Sequence, residues 1–151
     1  MKKSPLHSIK ISSKNSIIPV VYISLILIMF NFAGCDYFFP PLSGDKIPVE
    51  EAAKFIQKNS GNPDVILLDI RTKKQYDSVR IENSVNFDFS QTDFPDQISK
   101  LDHEKRYIII DENGRKAAMA LELMREQRFP KIHYITGGIN EWIKAGKNIY
   151  R

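Results

Sequence analysis

Cysteine occurs once in the 151 residues, at Cys35. A single thiol excludes an intramolecular disulfide framework and any zinc cage built on cysteines. Histidine is scarce too. His7 stands near the start, and His103 and His133 have no neighbours at ligand spacing, so neither a metal nor a resident cofactor is expected. Acidic residues are missing from positions 1–35, which hold Lys2, Lys3, Lys10 and Lys14 with nothing to balance them. Taking those four from the 22 basic residues leaves 18 in 36–151, against all 18 acidic ones. The formal charge of +4 therefore belongs to the first segment, and a neutral body has no bulk attraction for nucleic acid. No internal repeat is visible, which excludes a solenoid. The length permits one ordinary core with an appendage rather than two cores. With 42% hydrophobic residues, nine Phe and six Tyr, the chain does not have the composition of a disordered one.

What is present begins with a leader. From Asn15 to Cys35 no residue is charged, and Ile17 to Phe32 is mostly Ile, Val, Leu, Met and Phe. Basic residues, an apolar run and small residues at a boundary make a secretory signal. The boundary Phe32-Ala33-Gly34-Cys35 resembles the bacterial lipobox, with Phe32 where that pattern more often has Leu. The resemblance implies that residues 1–35 are a lipoprotein-type signal peptide and that Cys35 carries the lipid, palmitate included. The rest of the chain would then be held at a membrane of the bacterial cell envelope, outside the cytoplasm. An uncleaved anchor is a second reading, because ~20 apolar residues span a bilayer. An incidental thiol is the third.

Residues 36–46, with Pro40, Pro41, Ser43 and Gly44, read as a tether. Beyond it, apolar runs alternate with helical patterns. Val49, Ala52, Ala53 and Ile56 make one helix face, and Gly61-Asn62-Pro63 stops it. Val65–Leu68 reads as a buried strand, Thr72–Val79 as a helix, and Ser84–Phe87 as a short strand. Phe94, Ile98 and Leu101 space a third helix. Tyr107–Ile110 is the most apolar strand, and Ala117, Ala120, Leu121 and Met124 stripe the helix after it. Lys131–Thr136 is the next strand, and Ile139, Trp142 and Ile143 mark the last helix. Trp142, Tyr76 and Phe55 are expected in the core. Near-continuous apolar strands separated by helices predict an α/β domain, a central parallel sheet with helices on both faces.

Ligands of such sheets sit beyond the carboxyl ends of the strands. That edge offers Asp69 and Arg71, the loop Asp111-Glu112-Asn113-Gly114-Arg115-Lys116, and Gly137-Gly138. A loop running from a strand into a helix aims backbone N–H groups at a common point, the general design of an anion site. Asp69 and Arg71 are expected to buttress a loop rather than to react, and Lys116 to be a solvated helix start.

Together these residues resemble a rhodanese domain, the sulfurtransferase fold, across 47–146. Asp69-Ile70-Arg71 with Gln75-Tyr76 is similar to the family's Asp-x-Arg…Glu-Tyr stretch. Ile81 and Asn86 are what remain of its Gly-His-Ile-Pro-Gly-Ala-x-Asn segment. Gly137-Gly138-Ile139-Asn140-Glu141-Trp142 with Ala145-Gly146 is similar to its ending, and is the most specific piece. The family's active loop reads Cys-x-x-Gly-x-Arg-Ser. Aligned on Gly114, it puts Asp111 at the cysteine, Lys116 at the arginine and Ala117 at the serine.

The resemblance implies a rhodanese-like domain over 47–151 without its persulfide-forming thiol, since a carboxylate cannot hold sulfane sulfur. A membrane-tethered binding or regulatory domain is expected, with an unknown protein or a small anion as partner. In one alternative the domain is a thiosulfate-type sulfurtransferase that borrows a partner's thiol. In another it is a decayed domain with no ligand. Asp111 is expected either to accept hydrogen bonds from its own loop's amides or to serve as an ordinary turn or N-cap residue.

Overall fold

The structure, a computed structural model, describes residues 44–151. The leader, the lipobox with Cys35, and residues 36–43 of the tether lie outside the described residues. Five strands form one sheet: β1 (Lys46–Ile47), β2 (Val65–Asp69), β3 (Val85–Asn86), β4 (Arg106–Ile110) and β5 (Ile132–Ile135). Their order is β1-β5-β4-β2-β3, and every pairing is parallel. The helices are α1 (Val49–Lys58), α2 (Lys73–Ser78), α3 (Phe94–Ser99), α4 (Arg115–Glu126) and α5 (Gly138–Lys144).

Parallel strands joined through helices need both faces covered, and the alternation along the strands shows how. Leu67, Ile108, Ile110 and Ile135 point to one side, against Val49 and Ala52 of α1 and Ile139 and Trp142 of α5. Leu68, Tyr107, Ile109 and Ile132 point to the other, against Phe94 and Ile98 of α3 and Ala117, Ala120, Leu121 and Met124 of α4. The expected α/β architecture is the one observed. Helix α2 has no fully buried residue, and its start is fixed locally. The Thr72 hydroxyl accepts from the Gln75 N–H while the Gln75 side chain accepts from the Thr72 N–H, a reciprocal capping box. Gln75, read as a motif position, thus has a local structural task.

The structure differs from the sequence reading in four places. Lys46, taken as the last tether residue, opposes Tyr134 within the sheet, and the Asp45 carbonyl already accepts the Tyr134 N–H at 2.8 Å. A two-residue strand has no periodicity to read, which is why it escaped. Ile143, expected on the apolar face of the last helix, is 43% exposed, although it stands four residues after the buried Ile139, because it lies in the final turn of a seven-residue helix. Tyr76 and Phe55 are half-buried rather than core, and each carries an arginine over its ring: Arg80 at 5.5 Å and Arg106 at 5.7 Å. Lys131 and Thr136 flank β5 without belonging to it. Among the described residues no helix is long and apolar enough to cross a membrane.

Candidate functional site

The carboxyl ends of β2, β4 and β5 bring the expected residues to one edge. The loop after β4 is shaped by its own first residue. Asp111 is 1% exposed and follows four buried positions, Tyr107 to Ile110. Its Oδ1 accepts the Gly114 N–H, and its Oδ2 accepts the Lys116 N–H at 2.9 Å. The Asn113 side chain accepts the next donor, the Arg115 N–H, at 3.2 Å. Three consecutive amides at the start of α4 are therefore answered by side-chain oxygens of the loop itself. Bonds of this kind to an ionised carboxylate are stronger than neutral ones. Asp111 is not the N-cap of α4. That position belongs to Gly114, whose φ of 91° suits a residue without a Cβ.

Gly137 and Gly138 hold this loop from the neighbouring strand. The Ile139 N–H donates to the Asp111 carbonyl at 2.8 Å, and the Asn140 N–H to the Glu112 carbonyl at 3.2 Å. The loop passes so close that a Cβ on Gly138 would lie 2.6 Å from three backbone atoms of residues 111–113. The Gly-Gly corner is thus a docking seat for the Asp111 loop.

Asp69 and Arg71 form a buried pair, 0% and 5% exposed. Arg71 Nη2 lies 2.6 Å from one Asp69 carboxylate oxygen and its Nε 3.0 Å from the other. Nη2 also donates to the Val79 carbonyl at 2.7 Å. The Asn86 amide donates to the carbonyls of Asp69 and Arg71 at 2.9 and 2.8 Å, tying β3 to the end of β2. These groups are spent on one another and tie the ends of β2 and β3 together. Asn86 takes part in that tie, a role the motif comparison alone did not reveal.

Outward from the loop point Glu112, Asn113, Arg115 and Lys116, with exposed side chains. Lys116 acts electrostatically on Asp88, a residue the sequence did not single out. Burial pushes the Asp88 carboxyl up, but bonds from the Ser90 hydroxyl and amide and from Gln91, with the nearby Lys116 ammonium, hold it below the usual range. The Asp88-Phe89-Ser90 turn just after β3 was the available signal, since Asp two residues before Ser commonly closes an Asx turn. Among the described residues no three His, Cys, Asp or Glu side chains group to hold a metal. His103 stacks on Phe129 at 4.0 Å. Cys35 lies outside the described residues.

The sequence model of the family described as "Rhodanese-like domain" matches residues 52–145. A tRNA uridine(34) hydroxylase of Cytophaga hutchinsonii is 33% identical over 79 residues, covering 50% of this chain and 25% of that protein. An adenylyltransferase and sulfurtransferase of Debaryomyces hansenii is 30% identical over 106 residues, covering 66% of this chain and 23% of that protein. This chain thus spans about a quarter of the length of these curated relatives. A rhodanese-related protein of Thermoplasma volcanium superposes with a TM-score of 0.59 at 24% identity, over 71% of this chain and 98% of its own, a likeness of fold.

Proposed function

From the premise that this chain belongs to the rhodanese-like domain family, we propose that it is a catalytically silent member, tethered to a membrane through lipid on Cys35 and serving a binding or regulatory role. The observation that carries this reading is the Asp111 carboxylate seated on the amides of Gly114 and Lys116. A sulfur-transferring loop needs a thiolate that attacks a sulfane donor and keeps its sulfur as a persulfide. A carboxylate oxygen has no such chemistry, and residues 36–151 contain no cysteine. The same carboxylate, with Asn113, occupies donors that an external oxyanion would need. Of the two partners expected from sequence, a protein therefore fits better than a small anion. Its contact surface would be the exposed Glu112, Asn113, Arg115 and Lys116 with Asp88 beside them.

The test is sulfur transfer from thiosulfate to cyanide by the full chain, beside Asp111→Cys in a Cys35→Ser background. An inert natural chain and a variant that gains a persulfide are expected; turnover by the natural chain overturns the reading. The names of the relatives favour one alternative, sulfur transfer with a partner's thiol, because one of them is a sulfurtransferase. That alternative requires the Cys35→Ser chain to turn over once an external thiol is supplied. A third outcome, partner capture that survives replacement of Glu112, Arg115 and Lys116 together, would leave a decayed loop with no ligand of its own.

A further inference from the structure

The sheet edge opposite the loops holds a buried histidine that the proposed function does not use. His133, the second residue of β5, is 7% exposed. Its Nδ1 lies 2.8 Å from the Gly44 carbonyl oxygen. A carbonyl only accepts, so Nδ1 carries the proton. Its Nε2 lies 2.8 Å from Arg106 Nη1. A guanidinium only donates, so Nε2 offers its lone pair. The two partners together select one neutral tautomer and use both ring nitrogens. Protonating Nε2 would set an N–H against an N–H at that distance, with two positive charges in a place from which water is largely excluded, so the charged ring is driven away from Arg106 and carries its bond to Gly44 with it.

The charges around the ring come from three sides. Burial is the main influence lowering the tendency of His133 to protonate; the bond to Gly44 raises it, Arg106 of β4 lowers it, and Asp45 beside β1 and Glu51 of α1 raise it. Asp45 is itself ion-paired with Arg125 of α4, which ties up part of its charge. Arg106 is held in place over the Phe55 ring of α1.

The bonded carbonyl stands where the chain enters the sheet. Directly after Gly44, the Asp45 carbonyl accepts the Tyr134 N–H at 2.8 Å and the Ile47 carbonyl accepts the Thr136 N–H at 2.9 Å. Ile47 is fully buried and seats the inner end of β1 on hydrophobic contacts. The outer end, Gly44 to Lys46, is exposed and rests on these polar ties. We propose that His133 is a proton-operated latch on the chain's entry into the sheet, closed by the neutral ring bridging Gly44 to Arg106 and opened when the ring gains a proton. Opening frees residues 44–46 with Ile47 as the pivot. It lengthens the segment leading into the domain and uncovers the outer N–H of β5 at Tyr134. The latch acts whether or not Cys35 is lipidated, and independently of the chemistry of Asp111.

Hydrogen exchange on the full chain at about pH 7.5 and about pH 5, where an ordinary histidine changes charge, tests this after correction for the intrinsic rate. The Tyr134 amide should lose protection by about tenfold or more on acidification, while Ile109 in the centre of the sheet keeps its own. In His133→Gln, whose side-chain amide can donate to Gly44 and accept from Arg106, the Tyr134 amide should become insensitive to pH over that range. Arg106→Met, which removes the opposing N–H and charge, leaves a protonated ring able to keep its bond to Gly44 and should abolish the acid-dependent loss of protection at Tyr134. Unchanged Tyr134 protection in the natural chain, a loss shared with Ile109, or an equal loss in His133→Gln overturns the latch. Should His133→Gln fail to fold, the imidazole nitrogen resonances of the natural chain decide. They must titrate with the same midpoint as the backbone resonances of residues 44–46, and separate midpoints overturn the proposal.

Discussion

Asp111 shows how one residue type redirects a loop. A thiol there would leave the amides of Gly114 and Lys116 aimed at whatever it held, whereas the carboxylate takes them for itself. Its removal should be felt twice. Asp111→Ala leaves two donors without their charged acceptor and is expected to cost about 2–4 kcal/mol in urea unfolding. The same variant should gain a sulfate-dependent rise in melting temperature that the natural chain lacks, because the freed amides again form an anion site. Sulfate stabilising both chains equally would show that the carboxylate does not occupy the site. The Asp69–Arg71 pair carries a different prediction. Asp69→Ala strands a buried guanidinium and should destabilise by about 3–5 kcal/mol. Gly138→Ala places a Cβ against three backbone atoms at 2.6 Å on a φ of 59°, so about 3 kcal/mol or more should be lost as the Asp111 loop is pushed off its seat. Chemical denaturation of the two variants checks both figures.

The elements differ in how they announce themselves. The runs Val65–Leu68 and Tyr107–Ile110 are long enough for their apolar content to declare a buried strand, and the stripe Ala117, Ala120, Leu121, Met124 declares the face of α4. Strand β1 has only two residues and draws its place from β5, far along the chain. Its anchor is Ile47, and Ile47→Ala is expected to cost about 2–5 kcal/mol and to release the Tyr134 and Thr136 amides at every pH, as hydrogen exchange would register. The His133 side chain adds a pH term at the same place. Its pKa is lowered in the folded chain, below the ordinary 6.5. As pH falls, the unfolded chain takes up the proton first, so stability is complete above about 6.5 and declines below it. The midpoint of unfolding should therefore fall more steeply between about pH 7 and pH 5 for the natural chain than for His133→Gln. Equal slopes would mean that His133 does not titrate differently on folding.

At the scale of the whole molecule, one sheet separates two kinds of edge. The carboxyl ends of the strands carry the Asp111 loop, its Gly137-Gly138 seat and the Asp69–Arg71 buttress, while the opposite edge carries the entry of the chain and His133. Lipid on Cys35 has its own measurement. Cells fed labelled palmitate should incorporate it into the natural chain and not into Cys35→Ser, and the variant should leave the membrane fraction. Label retained by Cys35→Ser would remove the lipoprotein reading without touching the argument about Asp111.

What the sequence determined by itself is the alternation of buried strands with helices, and the absence of a thiol in the body of the chain. The first follows because periodicity is a matter of neighbours two to four residues apart, and the second because no folding can supply an absent sulfur. The Gly137-Gly138 corner was legible as part of the strand-end edge, but not as the seat of the Asp111 loop. Tertiary structure alone decided that the Asp111 carboxylate turns into its loop, that Asn86 ties β3 to β2, and that His133 meets a carbonyl 89 residues earlier in the chain and a guanidinium 27 residues earlier. The contacts of Asn86 and His133 join groups whose separation along the chain leaves no pattern in composition. They exist because parallel pairing in the order β1-β5-β4-β2-β3 sets distant segments side by side and takes them out of water, where each polar group must find a partner.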